Sequence, residues 1–243
     1  MEQAYWLQQE SGEVLAEDEW LSPAELARLG SFRIPKRRQD WRLGRWTAKN
    51  AVATYMRLPI EPSTLAAIEI RAASSGAPEV FLNGEAARLA ISLTHRGGYA
   101  VCAIVAEGAV IGCDLELIEP RSGPFVADYF TRDEQQAVAQ ASDGERFRMV
   151  ALLWSAKESV LKALREGLRI DTRQVEVTLG EAAGAPCGSE ATGGWHPFSA
   201  RFGERFFTGW WRRNGKSVLT IAGEPGLRRP LQLPAMSLAR HAG

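Results

Sequence analysis

Trp154-Ser155-Ala156-Lys157-Glu158-Ser159-Val160-Leu161-Lys162-Ala163-Leu164 is the stretch on which the reading of this chain turns. From Phe147 to Leu164 apolar side chains recur at Met149, Leu153, Ala156, Val160 and Leu164, the spacing of a helix with one face turned to a core. Lys157, Glu158 and Lys162 stand off that stripe, and Glu158 and Lys162, four apart, are neighbours on a helix surface. Alone, such a pair reads as an ordinary surface salt bridge, worth little. A second acidic motif upstream bears on that reading.

In Ile111-Gly112-Cys113-Asp114-Leu115-Glu116 the alternation predicts a strand over 110–117. Asp114 and Glu116 then share one face, while Cys113, Leu115 and Leu117 face the other way into a core. Anchor points about 6–7 Å apart give two full charges a repulsion of roughly 2–3 kcal/mol at an effective dielectric near 20. Two readings stand: a solvated acidic face, where water cuts the repulsion to under about 1 kcal/mol, or a cation held by the acids. With Glu158 added, three carboxylates would suit Mg²⁺, which keeps some waters and completes its octahedron with substrate phosphate oxygens. Mn²⁺ takes the same ligands.

The chain of 243 residues is long enough for one domain or two small ones, and 45% hydrophobic with 24% charged residues is ordinary for a soluble globular protein. Formal net charge is zero, so any attraction for an anion must come from a local patch, and neither nucleic acid nor a membrane surface is implied. The three cysteines, Cys102, Cys113 and Cys187, form no C-x-x-C pair, and two lie in apolar strand-like runs, where a reduced buried thiol is expected. The polar, acidic first twenty residues are unlike a signal peptide, and no apolar run nears the roughly 20 residues that cross a bilayer. A reducing cytoplasm is the expected compartment.

Residues 4–7 read as a short first strand. Ser22-Pro23-Ala24-Glu25 is a capping box with proline at the first helical position, opening a helix to about Leu29. A second helix runs from near Pro35 to about Tyr55, before Leu58-Pro59. Its front is basic: Arg38, Arg42, Arg45 and Lys49 share a face within a run that also holds Arg33, Lys36 and Arg37 against Asp40. That face is either solvated or a site for an anion with several phosphates; nucleic acid is disfavoured by the neutral net charge. Residues 64–70 read as a strand, 74–78 as a turn, and 92–98 as a polar break. The stretch 99–117 reads as a β-hairpin turning at Ala106-Glu107-Gly108.

Downstream, 124–129 reads as helical, and Thr131-Arg132-Asp133-Glu134 is a capping box opening a helix to about Gln140. A strand follows over 174–179, then a Gly/Ala-rich mobile connection over 180–194. Phe198–Phe202, Phe206–Arg212 and Ser217–Ala222 read as an antiparallel meander, and the residues from Pro225 on as an extended, peripheral tail. Both halves run helix then strands, a duplication of architecture without a visible sequence repeat. The expected fold is α+β in two similar halves, 1–110 and 111–224, each of antiparallel strands packed on helices, with a tail at 225–243.

Ile111–Glu116 followed by Trp-Ser-Ala-Lys-Glu-Ser-Val-Leu-Lys at 154–162 resembles the paired signature of the 4′-phosphopantetheinyl transferases. Leu21–Leu26 (L-S-P-A-E-L), Leu43–Lys49 (L-G-R-W-T-A-K) and Ser92–His95 (S-L-T-H) are similar to further motifs of the family's larger, Sfp-type branch. The resemblance implies a monomer with coenzyme A in the cleft between the halves. The implied reaction moves 4′-phosphopantetheine from coenzyme A to a serine of an apo acyl or peptidyl carrier protein, as in fatty acid, polyketide or nonribosomal peptide biosynthesis, and releases adenosine 3′,5′-bisphosphate. Asp114, Glu116 and Glu158 match the family's Mg²⁺ ligands, Lys162 the lysine beside the pyrophosphate, and Glu158 a candidate base for the serine hydroxyl. Thr94 and His95 match the phosphate-contacting pair and Arg45 the arginine at the adenine nucleotide, with Arg38 and Lys49 as further candidate coenzyme A contacts. Glu134 falls where the family often has another acid. Ala77 departs from the family's usual Lys or Arg, a loss that Arg96 or the basic helix could cover. His196 and His241 carry no assignment. Two alternatives remain: a coenzyme A- or carrier-binding protein without transfer activity, and a metal-dependent pyrophosphate hydrolase.

Overall fold

A computed structural model of the chain describes residues 1–180 and 194–234. Cys187, the Gly/Ala-rich connection over 181–193 and His241 lie outside those residues. Two units emerge, one of residues 4–108 with the segment from Leu231, the other of residues 1–3 and 109–230. Each is a mixture of helices and antiparallel sheet, the α+β class the sequence implies.

The amino-terminal unit contains β1 (Glu2–Glu10), α1 (Pro23–Gly30), α2 (Pro35–Tyr55), α3 (Pro62–Ala67), β2 (Ile68–Ala72), β3 (Pro78–Leu82), β4 (Glu85–Ala86), β5 (Leu89–Arg96) and β6 (Tyr99–Ala106). The capping box forms as its residues dictate: Ser22 Oγ accepts from the Glu25 N–H at 3.2 Å, and Glu25 accepts from the Ser22 N–H at 3.0 Å. The long helix α2 packs on β6, β2 and β5 and buries Leu43, Trp46, Ala48, Ala51 and Val52. Trp46 meets Trp20 edge-on, ring centroids 5.1 Å apart, in a core shared with Leu7, Leu29, Leu65 and Ile104.

The carboxyl-terminal unit contains β7 (Val110–Leu117), α4 (Gly123–Tyr129), α5 (Arg132–Gln140), α6 (Asp143–Leu164), β8 (Val175–Leu179), β9 (His196–Phe202), β10 (Arg205–Asn214) and β11 (Ser217–Glu224). The sheet order is β7-β11-β10-β9-β8, with every neighbouring pair antiparallel. The helix α6 lies chiefly on β7 and β11. It ends at Arg165, whose left-handed backbone (φ 60°, ψ 23°) lets its N–H reach the carbonyls of Leu161 and Lys162. Rather than burying a single stripe, α6 is covered on most sides: Leu152, Ser155, Lys157, Ser159 and Leu161 are all inaccessible to solvent. It is the central helix of its unit.

The structure corrects several expectations. Residues 64–70 are not one strand. Pro62 at the first helical position, with Ser63 and Thr64 donating to the Glu61 carboxylate, starts the short helix α3, and the strand begins only at Ile68. Ser92–Arg96 is no break but the end of β5, paired through Arg96↔Tyr99 with β6. The stretch 99–117 is not a hairpin. Both edges of β6 are taken, by β1 and β5, while β7 pairs with β11 from Val110↔Glu224 to Leu117↔Ser217. Asn83 and Gly84, both with positive φ, turn the chain between β3 and β4, a hairpin the alternation alone did not reveal. The segment read as a peripheral tail forms β12 (Leu227–Gln232), beside β1 in the sheet β12-β1-β6-β5, with Leu227 and Pro230 buried.

Candidate active site

The face of β7 that carries the acids is the one α6 lies on. A Cβ added to Gly112 would stand 1.8 Å from the Ser159 carbonyl oxygen and 2.7 Å from the Ala163 nitrogen, so only glycine admits the helix backbone this close. Gly112, Asp114 and Glu116 point the same way along the strand, and the approach brings Lys162 onto Asp114. The ammonium donates to Asp114 Oδ1 at 2.7 Å and to the Cys113 carbonyl at 3.1 Å. A buried hydroxyl pair fixes α6 two turns before Lys162. Ser155 Oγ donates to the Asp114 carbonyl at 3.1 Å and lies 2.9 Å from Thr220 Oγ1, which reaches the Ser155 carbonyl at 2.8 Å. Because Cys113 and Leu115 are buried on the opposite face, β7 is covered on both sides, and Asp114, only 5% exposed, is no solvated decoration.

Glu158 is half-buried, and its Oε1 has no hydrogen-bond partner among the described residues. Burial, then the charge of Asp114, pushes its pKa up to about 7; Glu116 adds to the rise and Lys162 opposes it. For Lys162 burial works against the charge, yet Asp114, Cys113 and Glu158 outweigh it and its pKa is raised. Glu116 takes Arg121 Nη2 at 3.1 Å. The surface bridge first suggested by Glu158 and Lys162 is thus replaced by a strand-to-helix pair, Asp114 with Lys162. Asp114 and Glu116 are both near enough to disfavour the charged form of Glu158.

Among the described residues no group of three His, Cys, Asp or Glu side chains is drawn together tightly enough to hold a metal ion. The acids are instead engaged by cations of the chain itself, Lys162 on Asp114 and Arg121 on Glu116. The donor set nevertheless fits a hard divalent cation: all oxygen, mutually repelling, with one carboxylate oxygen of Glu158 buried and unsatisfied.

Glu134, the further acid, has a structural place. It closes the capping box of α5 by accepting from the Thr131 N–H at 2.8 Å, accepts from the Val177 N–H at 2.9 Å, and pairs with Lys157 at 2.8 Å.

In the amino-terminal unit the basic helix face is largely spoken for. Lys49 is corrected from a candidate ligand contact to a core residue: it is 0% exposed, paired with Glu25, and donates to the carbonyls of Trp20 at 3.0 Å and Leu65 at 2.9 Å. Arg42 is held by Asp18 and the carbonyls of Leu15 and Ala16. The carboxylates that seemed missing from this face come from other segments. Arg45 lies 3.6 Å from Glu25, its guanidinium 4.8 Å above the Trp41 ring; burial lowers its pKa, with Glu25 opposing. Arg38 remains exposed, 3.8 Å from Asp18. Arg33 and Arg37 line a hollow of about 420 Å³ with Arg28, Ser31, Phe32 and Ile34. On β5, Thr94 is buried while His95 is exposed and 4.0 Å from Asp40. Ala77 sits in the turn before β3, its N–H on Ser75 Oγ.

Gly112, Arg121, Lys157 and the Ser155–Thr220 pair are residues of the site or its frame to which sequence reasoning assigned no role. What links them is the chain's own backbone spacing, the pairing of β7 with β11 and the packing of α6 on both.

Comparison with known families bears on this arrangement. Residues 110–209 match the family model of the 4′-phosphopantetheinyl transferase superfamily. A comparison with curated proteins returns no match. The span that matches this transferase superfamily begins with the first residue of β7 and takes in Asp114, Glu116, Glu158 and Lys162. The similarity therefore covers the strand and helix that form the acidic site, and the superfamily's chemistry, transfer of phosphopantetheine, is the chemistry against which the site is to be judged. No helix among the described residues is long and apolar enough to cross a membrane.

Proposed function

We propose that the protein transfers the 4′-phosphopantetheine group of coenzyme A to a serine hydroxyl of an apo acyl or peptidyl carrier protein, with Mg²⁺ or Mn²⁺ as its metal. The observation that carries this reading is the meeting of Asp114, Glu116 and Glu158 with Lys162 between β7 and α6, inside the span similar to the transferase superfamily.

Asp114, Glu116 and Glu158 are the residues that would hold the metal. When bound, the cation would neutralise the pyrophosphate and the charge that grows on its oxygens. Lys162, held on Asp114, supplies a second positive charge on the same side. Attack of an alcohol on a pyrophosphate phosphorus needs positioning and charge neutralisation more than covalent help. The serine Oγ forms the new P–O bond at the β-phosphorus. The bond to the nucleotide breaks, and adenosine 3′,5′-bisphosphate leaves with the electron pair. Glu158 is the group placed to take the serine proton. A carboxylate that takes the serine proton late in the transfer need not be a strong base. The nucleotide contacts of Arg45, Thr94 and His95 rest on the motif resemblance, that of Arg38 on the basic face of α2, and the Sfp-type branch on the motifs.

The test is to incubate the protein with coenzyme A, Mg²⁺ and an apo carrier domain and weigh the carrier. A gain of one phosphopantetheine is the expected result. Consumption of coenzyme A with no gain on the carrier marks a hydrolase, and binding of coenzyme A without consumption marks a non-catalytic binder; either outcome overturns the proposal.

A further inference from the structure

Two buried clasps of one design run through the chain. In the amino-terminal unit Glu25 accepts from the Ser22 N–H with one oxygen and the Ile70 N–H with the other, and pairs with Lys49 of α2. Lys49 also donates to the carbonyls of Trp20 and Leu65. In the carboxyl-terminal unit Glu134 accepts from the Thr131 N–H with one oxygen and the Val177 N–H with the other, and pairs with Lys157 of α6. Lys157 also donates to the carbonyls of Thr172, at 3.0 Å, and Val175. Both lysines are 0% exposed and both glutamates 3% exposed. Aligned on these lysines, the helices show the repeat that was not visible before: Trp46-Thr47-Ala48-Lys49-Asn50 against Trp154-Ser155-Ala156-Lys157-Glu158.

The copies part at the residue after the lysine. Asn50 is buried and turns back to donate to the Trp46 carbonyl of its own helix at 2.8 Å. Glu158 instead stands beside the acids of β7. From these facts we infer that Lys157 and Glu134 are positioning residues for Glu158: the clasp fixes the rotation of α6 about its axis and so aims the acid next to it. The inference rests on the proposed transfer reading.

The physical reason is geometric. Three acceptors from two segments, Glu134 on α5 and the carbonyls of Thr172 and Val175 in the turn that enters β8, surround one ammonium from which water is excluded. A point charge with three donors satisfied this way has a single position. Its neighbour Glu158 is then set about 100° further round the helix. A buried ion pair gives little net stability over a well-packed apolar pair, and its best-attested use is to specify one arrangement. A clasp serving stability alone would act alike in both units. One that positions Glu158 would act on the site from α6 and not from α2.

The test therefore compares Glu134→Gln with Glu25→Gln in the full chain. Each removes the charge paired with a buried lysine, and only one clasp adjoins Glu158. Mn²⁺ binding at saturating coenzyme A, established separately for each variant because Glu25 also lies beside Arg45, is read by the resonance of the free ion, alongside transfer kinetics and thermal unfolding. For Glu134→Gln the expected result is an affinity for Mn²⁺ lowered about ten- to a hundredfold, a similar fall in kcat, and a KM for coenzyme A within about twofold of wild type. For Glu25→Gln the expected result is a lowered unfolding temperature with Mn²⁺ affinity kept.

A folded Glu134→Gln that binds Mn²⁺ like wild type overturns the inference and leaves the transfer reading intact. So does a loss of Mn²⁺ affinity as large in Glu25→Gln. A wild type that binds Mn²⁺ but transfers nothing overturns the transfer reading, and the Mn²⁺ comparison still decides the clasp. A wild type that binds no Mn²⁺ overturns both. If Glu134→Gln does not fold, Glu134→Gln/Lys157→Met leaves no buried charge unpaired and is read in the same way.

Discussion

Glu158 is a half-buried acid with one buried, unsatisfied oxygen and a pKa pushed up to about 7 from 4.5. The sign of its effect on stability follows. The folded protein disfavours the ionised form, so the contribution is fully present below the unfolded value and is lost as pH rises through about 7. In metal-free protein Glu158→Gln should therefore match wild type at about pH 4, below the unfolded value. At pH 8 it should be more stable, by about 1–3 kcal/mol once partial exposure is allowed for. Urea denaturation at the two pH values measures this, and a gap that does not widen with pH contradicts the raised pKa. Asp114→Ala, Glu158→Ala and Lys162→Ala should each lower the transfer rate by at least about a hundredfold with the circular dichroism unchanged. A variant with wild-type transfer removes its residue from the mechanism.

Between elements, the approach of α6 to β7 depends on Gly112. Gly112→Ala must push the helix backbone away from the strand, at a cost of about 1–3 kcal/mol for overpacking, and should weaken the Asp114–Lys162 pair. A lowered urea midpoint together with reduced transfer is the expected outcome; normal values for both would mean the helix has room. What was legible in the sequence at this scale was whatever is specified locally. The capping boxes at Ser22 and Thr131 and Pro35 at the start of α2 appear where the residues place them, and α6 forms as a helix although it is covered on more than its one apolar stripe. The acids of β7 and Glu158 were legible as a motif pair. Non-local facts were not. The partners of β6 and β7 are β1, β5 and β11, far away in the chain, so a short turn between two apolar runs was misread as a hairpin. Lys49 and Lys157 look like surface charges until their glutamates arrive from α1 and α5.

On the scale of the whole molecule, each of the two units has its own antiparallel sheet, long helix and glutamate–lysine clasp. Removing one partner of such a pair leaves the other as an uncompensated buried charge. Lys49→Met should thus cost about 3–5 kcal/mol, read as a fall in the urea midpoint; an unchanged midpoint would return Lys49 to the surface face of α2. The zero net charge means that no global field draws in an anionic substrate, so the work falls to local groups. The central claim is that one strand and one helix together make a divalent-cation site. It is tested most directly by titrating Mn²⁺ into wild type, Asp114→Asn and Glu158→Gln with coenzyme A present. One ion per wild-type chain, with binding weakened at least about tenfold in both variants, is the predicted result. Equal binding by all three proteins would contradict the account.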